Sequence, residues 1–185
     1  VDYYDLGKIT LTLEDDGAST NIKVGTTAID HTIQNIENVK GSNTSGDVLI
    51  GNNVANTLYG QGGDDTLEGG AGDDYLDGGT GTNTLSYDTA ATRSNNAIFT
   101  GVKVNLDDQD YDGIVAGTAT GDGSDTIISF TNLIGSTLDD TLIGSDGTNQ
   151  INGGIGADVI DGLNGDDFLN GGAGNDQFIM ALDDG

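Results

Sequence analysis

The feature that most limits how this chain can fold is a nine-residue repeat that occurs ten times, in two runs of five. The first run covers 42–86 and the second covers 135–179. Position eight of the repeat is apolar in every copy, and position six is always Asp or Asn. A period this regular predicts that each repeat forms one small structural unit and that successive units stack on one another.

The two runs are themselves copies of each other, because the first four position-six residues of each run are separated by 93 residues. The unit that is duplicated therefore includes the spacer between the runs. We divide the chain into lead-in strands at 1–41, a first repeat block at 42–86, spacer strands at 87–134, a second block at 135–179, and the start of a following segment at 180–185.

The last three residues of each repeat suit a short strand with one inward apolar side chain. A strand of three residues cannot hold a sheet alone, but coils stacked at about 4.8 Å would pair every strand and align the apolar side chains. Glycines at positions one and four predict tight turns with positive φ and exposed carbonyls. Ile9, Leu11 and Leu13, like Val102, Val104 and Leu106, alternate with other residues and predict further half-buried strands. We expect little helix.

The composition favours a cation as the partner. Thirty-one Asp and Glu against five Lys and Arg give a formal net charge of -26, which argues against nucleic acid and anionic lipid. Only 34% of the residues are hydrophobic, so we expect that something must bind before the chain folds. Stacked coils would place the position-six carboxylates in repulsive columns unless an ion neutralised them. Oxygen ligands without any cysteine favour calcium over zinc.

The repeats GGAGDDYLD (69–77), GGIGADVID (153–161) and GGAGNDQFI (171–179) resemble the nonapeptide of the repeats-in-toxin (RTX) family, GGxGxDxUx. The resemblance implies an all-β fold, a right-handed parallel β-roll in which two nonapeptides make one coil. It also implies that each calcium ion lies between turns two repeats apart, bound by position-six side chains and by backbone carbonyls of the glycine turns.

Carried onto this chain, the family pattern implies about six calcium sites in six pairs. The pairs are Asp47 with Asp65, Asp65 with Asn83, Asn56 with Asp74, Asp140 with Asp158, Asp158 with Asp176, and Asn149 with Asp167. The turn glycines implied as carbonyl donors are Gly63, Gly70, Gly72, Gly79, Gly81, Gly154, Gly156, Gly165, Gly172 and Gly174.

The sites should differ in strength, because Asn at 56, 83 and 149 keeps an oxygen but loses the charge. We expect the strongest sites around Asp65, Asp74, Asp158, Asp167 and Asp176. The position-five acids Asp64, Asp73, Asp139 and Asp166 are expected to point to solvent. The stretch 108–113, DQDYDG, resembles half of an EF-hand loop but is also compatible with a charged hairpin tip.

Catalysis is not expected. The single histidine, His31, has no partner nucleophile in the sequence, and the carboxylates follow a repeat lattice rather than one unequal acid–base pair. We expect His31 in a solvated turn. No stretch is apolar enough to cross a bilayer, so we expect no membrane insertion. No signal peptide is evident, so export would use another signal, or the chain is a piece of a longer protein.

We therefore expect a secreted or cell-surface calcium-binding module that folds on calcium binding after export. The resemblance adds the type I export machinery and flanking domains as partners. Two alternatives stay open: a rigid spacer of an adhesin, and a carbohydrate-binding accessory module attached to a secreted enzyme.

Overall fold

The structure, a computed structural model, describes residues 7–13, 20–24, 27–33, 35–90, 100–111 and 113–180, with the backbone alone between 20 and 33. Every regular element within these ranges is a strand, which confirms the all-β prediction. The strands are β1 (Ile9–Thr12), β2 (Thr20–Val24), β3 (Thr27–Ile33), β4 (Asn38–Lys40), β5 (Val48–Ile50), β6 (Thr57–Tyr59), β7 (Thr66–Glu68), β8 (Tyr75–Asp77), β9 (Thr84–Ser86), β10 (Lys103–Asn105), β11 (Thr118–Thr120), β12 (Ser124–Ile128), β13 (Asn132–Ile134), β14 (Thr141–Ile143), β15 (Gln150–Ile155), β16 (Val159–Asp161), β17 (Phe168–Ala173) and β18 (Gln177–Ile179).

These strands form two nine-stranded sheets. The order in the first sheet is β17-β15-β13-β9-β7-β5-β1-β2-β3, and in the second it is β18-β16-β14-β10-β11-β12-β8-β6-β4. Consecutive repeat strands alternate between the sheets, so each one pairs in parallel with the strand two repeats away, as Leu49 does with Leu67. This alternation is the arrangement expected of a parallel β-roll with two nonapeptides per coil.

The core is a ladder of position-eight side chains. Leu49, Leu58, Leu67, Leu76 and Leu85 are completely buried, and Leu142, Ile151 and Ile160 continue the ladder in the second block. Because each repeat contributes one such side chain, the core is only as thick as two facing rungs. Leu169 and Phe178, on the last coil, are less buried because no described coil covers them.

The two blocks join into one continuous pair of sheets. In the first sheet, β9 pairs directly with β13, with Leu85 opposite Leu133. In the second sheet, the spacer strands β12, β11 and β10 lie between β8 and β14. The spacer therefore does not separate two rolls. It inserts an antiparallel β10-β11-β12 meander into one sheet while the other sheet continues without interruption.

The spacer strands that alternation predicted are present. Ile9 and Leu11 are buried on β1, which pairs in parallel with β5, and Val104 is buried on β10. His31 lies on β3 rather than in a turn, which corrects the expected location. Among the described residues, no helix is long and apolar enough to cross a membrane.

Candidate metal sites

Each position-six side chain lies at the end of a turn, and in the six predicted pairs the later side chain bonds to the earlier coil. In every predicted pair, the backbone N–H of the earlier residue donates a hydrogen bond to a side-chain oxygen of the later one. All six pairs are therefore adjacent, with N···O distances of 2.7 Å for Asp47 and Asp65, 2.7 Å for Asn56 and Asp74, 3.0 Å for Asp65 and Asn83, 2.9 Å for Asp140 and Asp158, 2.9 Å for Asn149 and Asp167, and 3.2 Å for Asp158 and Asp176.

The position-four glycines other than Gly147 adopt the positive φ that the sequence predicted, and the position-two glycines adopt it as well. All ten that were expected to offer carbonyls have φ between 79° and 149°, a region that side chains rarely adopt: Gly63, Gly70, Gly72, Gly79, Gly81, Gly154, Gly156, Gly165, Gly172 and Gly174. The backbone can therefore fold back tightly before each strand.

Glycine is required at position one for a different reason. The predicted positive φ was wrong there, because no position-one glycine adopts it. A Cβ on Gly60 would lie under 3 Å from Asp65 Oδ2 and from the carbonyl oxygen of Gly78, on the next coil. Gly153 has the same relation to Asp158 Oδ2 and the Gly171 carbonyl. Position one is glycine because a side-chain oxygen of the position-six residue occupies the space beside it. We call this atom the turn oxygen: it is Oδ2 of an Asp, or Oδ1 of Asn56 and Asn149.

In four turns, which we call closed, the turn oxygen accepts a hydrogen bond from the backbone. The N–H of the residue after position one donates to it at 2.5 Å for Ser42 and Asp47, 2.7 Å for Asn52 and Asn56, 2.6 Å for Ser136 and Asp140, and 2.8 Å for Ser145 and Asn149. Gly41 precedes Ser42 and holds the position-one place, because its Cβ would meet Asp47 Oδ2. This first turn is therefore one residue longer than its counterpart in the second block, where Gly135 precedes Asp140 by five residues instead of six.

In three other turns of the described chain, which we call open, the turn oxygen has no hydrogen-bond partner. Oδ2 of Asp65, Asp74 and Asp158 is buried and has no hydrogen-bond partner. In each case the residue after position one has positive φ, at 79° for Gln61, 89° for Gly70 and 101° for Gly154. The backbone conformation at position two thus separates open from closed turns. Leu163 and Gly172 have the same conformation before Asp167 and Asp176, on the last coil.

Asn83 shows what an open turn lacks. Its Nδ2 donates to the carbonyl oxygens of Gly79 at 3.4 Å and Ser129 at 3.1 Å, so a positive amide edge lies among the turn carbonyls. In an open turn the corresponding group is an anionic oxygen, as Asp65 Oδ2 is beside the Gly78 carbonyl. A cation bound by both acceptors would satisfy them, and hard oxygen ligands suit calcium.

A family model for the RTX calcium-binding nonapeptide repeat, four copies long, matches residues 50–85, 134–169 and 143–178. The chain contains the RTX calcium-binding nonapeptide repeat, over 50–85 and 134–178. RTX repeats bind calcium, which is compatible with the open turns. A comparison with curated proteins finds no match.

Burial opposes the charge of several RTX carboxylates. Burial, together with the neighbouring Asp125, Asp122 and Asp73 carboxylates, raises the pKa of Asp74 to about 8, although a hydrogen bond from the Asn56 N–H lowers it. Burial also raises the pKa of Asp65, Asp125 and Asp140 to about 6, and that of Asp158 in the same direction. A bound cation would act in the opposite direction and favour the ionised carboxylates.

Side chains alone do not make these sites. Among the described residues, no three Asp, Glu, His or Cys side chains converge as a metal-binding group. Backbone carbonyls of the turn would therefore have to complete the ligand set of a calcium ion bound there. The position-five acids are exposed as predicted, yet some are also bonded across coils: Asp64 Oδ1 accepts from Thr82 N–H at 2.8 Å and Asp139 Oδ1 from Ala157 N–H at 2.7 Å.

The EF-hand-like stretch lies in the connection between β10 and β11, which form an antiparallel hairpin. Asp110 Oδ1 accepts a hydrogen bond from the Ala116 N–H at 2.9 Å, and Asp108 Oδ1 accepts from the Gln109 side chain. Asp112 lies outside the described residues. The arrangement fits the hairpin interpretation.

One functional residue escaped the sequence analysis. Asp125, in the spacer, accepts a 3.1 Å hydrogen bond from the Asp74 N–H. In the predicted pairs, the position-six residue two repeats later accepts this bond. The signal that could have revealed it is the spacing of Gly121, Gly123, Asp125 and Ile127, which occupy positions two, four, six and eight of a repeat.

Proposed function

We propose that this chain is a calcium-binding structural module of an exported protein, and that its roll forms when calcium binds outside the cell. The observation that supports this most directly is the open turn oxygen of Asp65, Asp74 and Asp158. Burying an unpaired carboxylate costs on the order of several kcal/mol, so the metal-free roll is destabilised at each open turn. A bound calcium ion removes that cost.

The open and closed turns divide the six pairs into two classes. In two pairs the earlier residue has an open turn oxygen: Asp65 in the pair with Asn83, and Asp158 in the pair with Asp176. In the other four pairs, the turn oxygen of the earlier residue already accepts a backbone hydrogen bond. Calcium must replace that bond, so these four sites are weaker. About six ions would then bind in two steps of different affinity.

Calcium-dependent folding follows from the same balance between the cost of burying unpaired carboxylates and the free energy of calcium binding. A ligand that binds only the folded chain stabilises it by about 2.7 kcal/mol per site at a concentration one hundred times its Kd. Extracellular calcium modules have Kd values of about 10⁻⁴ to 10⁻³ M, far above the calcium level of a cytosol. The chain therefore stays unfolded during passage through the export machinery and folds outside, where calcium is abundant.

The test of calcium binding is a calorimetric titration of the metal-free chain with calcium and, separately, with magnesium. Calcium should bind at several sites in a strong and a weak class. Magnesium should bind much more weakly, because it loses its water ligands reluctantly and prefers a rigid octahedral site. Absence of calcium binding, or equal binding of both ions, would refute the proposal.

A role as a stiff spacer in an adhesin is the second candidate, and the continuity of both sheets supports it. Nine strands in each sheet, spaced by about 4.8 Å, give a rod roughly 40 Å long. Small-angle scattering of the calcium-loaded chain should show one elongated particle. Two independently moving bodies would contradict this role. Neither candidate involves catalysis.

A further inference from the structure

The spacer contains an eleventh repeat-like turn. The segment 120–128, TGDGSDTII, has glycine at positions two and four, Asp at position six and Ile at position eight. It lies outside the ranges that the RTX family model matches. Its Ile127 is buried in the core, as a position-eight residue would be.

The structure stacks this segment on repeat 69–77 as if it were the repeat of the next coil. Strand β12 pairs in parallel with β8, with Thr126 opposite Tyr75 and Ile127 opposite Leu76. This is the register that joins true repeats, in which β5 pairs with β7 and position-eight residues face each other.

Three hydrogen bonds between the segment and repeat 69–77 reproduce those between true repeats. Asp74 N–H donates to Asp125 Oδ1 at 3.1 Å, Ser124 N–H donates to Asp73 Oδ1 at 3.0 Å, and Thr126 N–H donates to the Asp74 carbonyl at 2.8 Å. The equivalents in the first block are Asp47 N–H to Asp65 Oδ1, Thr82 N–H to Asp64 Oδ1, and Thr66 N–H to the Asp47 carbonyl.

The segment differs from a true repeat at its beginning. It enters from β11 through a hairpin in the same sheet, instead of crossing from the other sheet. Its first two residues therefore do not follow the path of a repeat turn. From position three onward the match resumes, because Gly72 N–H donates to the Asp122 carbonyl at 3.0 Å, as Gly63 N–H does to Thr80.

Position three of this turn carries a carboxylate, Asp122, which is buried to 6% exposure. Asp74 and Asp125 are each 3% exposed. The turn oxygen of Asp74 has no hydrogen-bond partner, whereas both oxygens of Asp125 are engaged, by Asp74 N–H and by the Tyr87 hydroxyl at 2.7 Å. The Asp125 and Asp122 carboxylates both lie close enough to Asp74 to act on its charge, and the open oxygen belongs to Asp74.

We propose that repeat 69–77 and segment 120–128 form a further calcium site, in which the Asp74 turn oxygen and the Asp122 carboxylate bind the ion. Asp125 is the positioning residue, because it fixes the Asp74 backbone through its hydrogen bond. This site rests on the proposed calcium-binding function, and extends it from the repeats to the spacer. It would connect the first block to the meander that leads to the second.

The experiment uses the full chain and counts bound calcium by native mass spectrometry at saturating calcium, with calorimetry for affinity. Asp122→Asn should lose one ion relative to the unmodified chain. Asp125→Asn should weaken the same site. Asp88→Asn is the matched control, because Asp88 is exposed in the turn after β9 and lies outside the segment. It should bind as many ions as the unmodified chain.

Circular dichroism in calcium checks that each variant folds. Asp122→Asn leaves the three hydrogen bonds between the segment and repeat 69–77 in place, so it remains informative if Asp125→Asn does not fold. An unchanged ion count and affinity in a folded Asp122→Asn chain would overturn the junction site while leaving the repeat sites intact. If the unmodified chain binds no calcium, the proposed function itself fails.

Discussion

The backbone N–H of Asp74 donates a 3.1 Å hydrogen bond to Asp125, which lies 51 residues further along the chain. Between true repeats the same bond spans 18 residues, as from Asp47 to Asp65. The stacking of one coil on the next therefore depends on the turn and its carboxylate rather than on the length of chain between them. A spacer can be inserted wherever the following segment restores that turn.

Replacement of an open carboxylate should affect calcium binding more than replacement of a closed one. We expect Asp158→Asn to remove one strong site, because its turn oxygen is open, whereas Asp140→Asn should leave the strong class unchanged. Asn retains an oxygen that can accept the bond from the preceding coil in both variants. Calorimetric titration separates the two classes. Equal losses in both variants would show that the backbone bond at Ser136 does not close the turn.

A methyl group at position one should block an open turn. Gly153→Ala would place Cβ under 3 Å from Asp158 Oδ2 and the Gly171 carbonyl, so we expect a destabilisation of about 1–3 kcal/mol and loss of the site. Gly147→Ala is the control, since its Cβ would meet nothing within 4 Å. Denaturant unfolding in calcium should distinguish them. A neutral Gly153→Ala variant would contradict the steric role of position one.

The apolar ladder should carry much of the stability of the calcium-loaded roll. Leu142 is completely buried, so Leu142→Ala should cost about 2–5 kcal/mol. Leu169→Ala, in the last coil, should cost less because Leu169 is only partly buried. Thermal unfolding in saturating calcium gives the comparison. Equal costs would contradict the lower burial of Leu169 in the last coil.

Metal-free stability should rise on acidification. Burial raises the pKa of Asp74 to about 8 and that of Asp65 to about 6, above the ordinary value of 3.8. Between the unfolded and folded pKa values the folded chain binds more protons, so stability is greatest below about pH 4 and is lost as pH rises towards 8. Circular dichroism of the metal-free chain should therefore show more strand at pH 5 than at pH 8.5. An unchanged or weaker strand signal at pH 5 would contradict this.

The strands were predictable from the period, and the pairs from the RTX resemblance, which implies two repeats per coil. An apolar residue at position eight specifies one rung, and two repeats per coil bring Asp47 next to Asp65. The closure of turns was not predictable, because it depends on the backbone φ after position one, and Gln61 adopts the left-handed conformation without being glycine. Asp125 was missed because its segment lacks the position-one glycine and enters through a hairpin.

We expect calcium binding to supply the free energy that folds this roll. The most direct measurement is the far-UV circular dichroism of the chain at neutral pH, first in excess chelator and then in millimolar calcium. We expect a disordered spectrum in chelator and a strand spectrum in calcium, restored to disorder when chelator is added again. A strand spectrum that persists unchanged in chelator would contradict the claim.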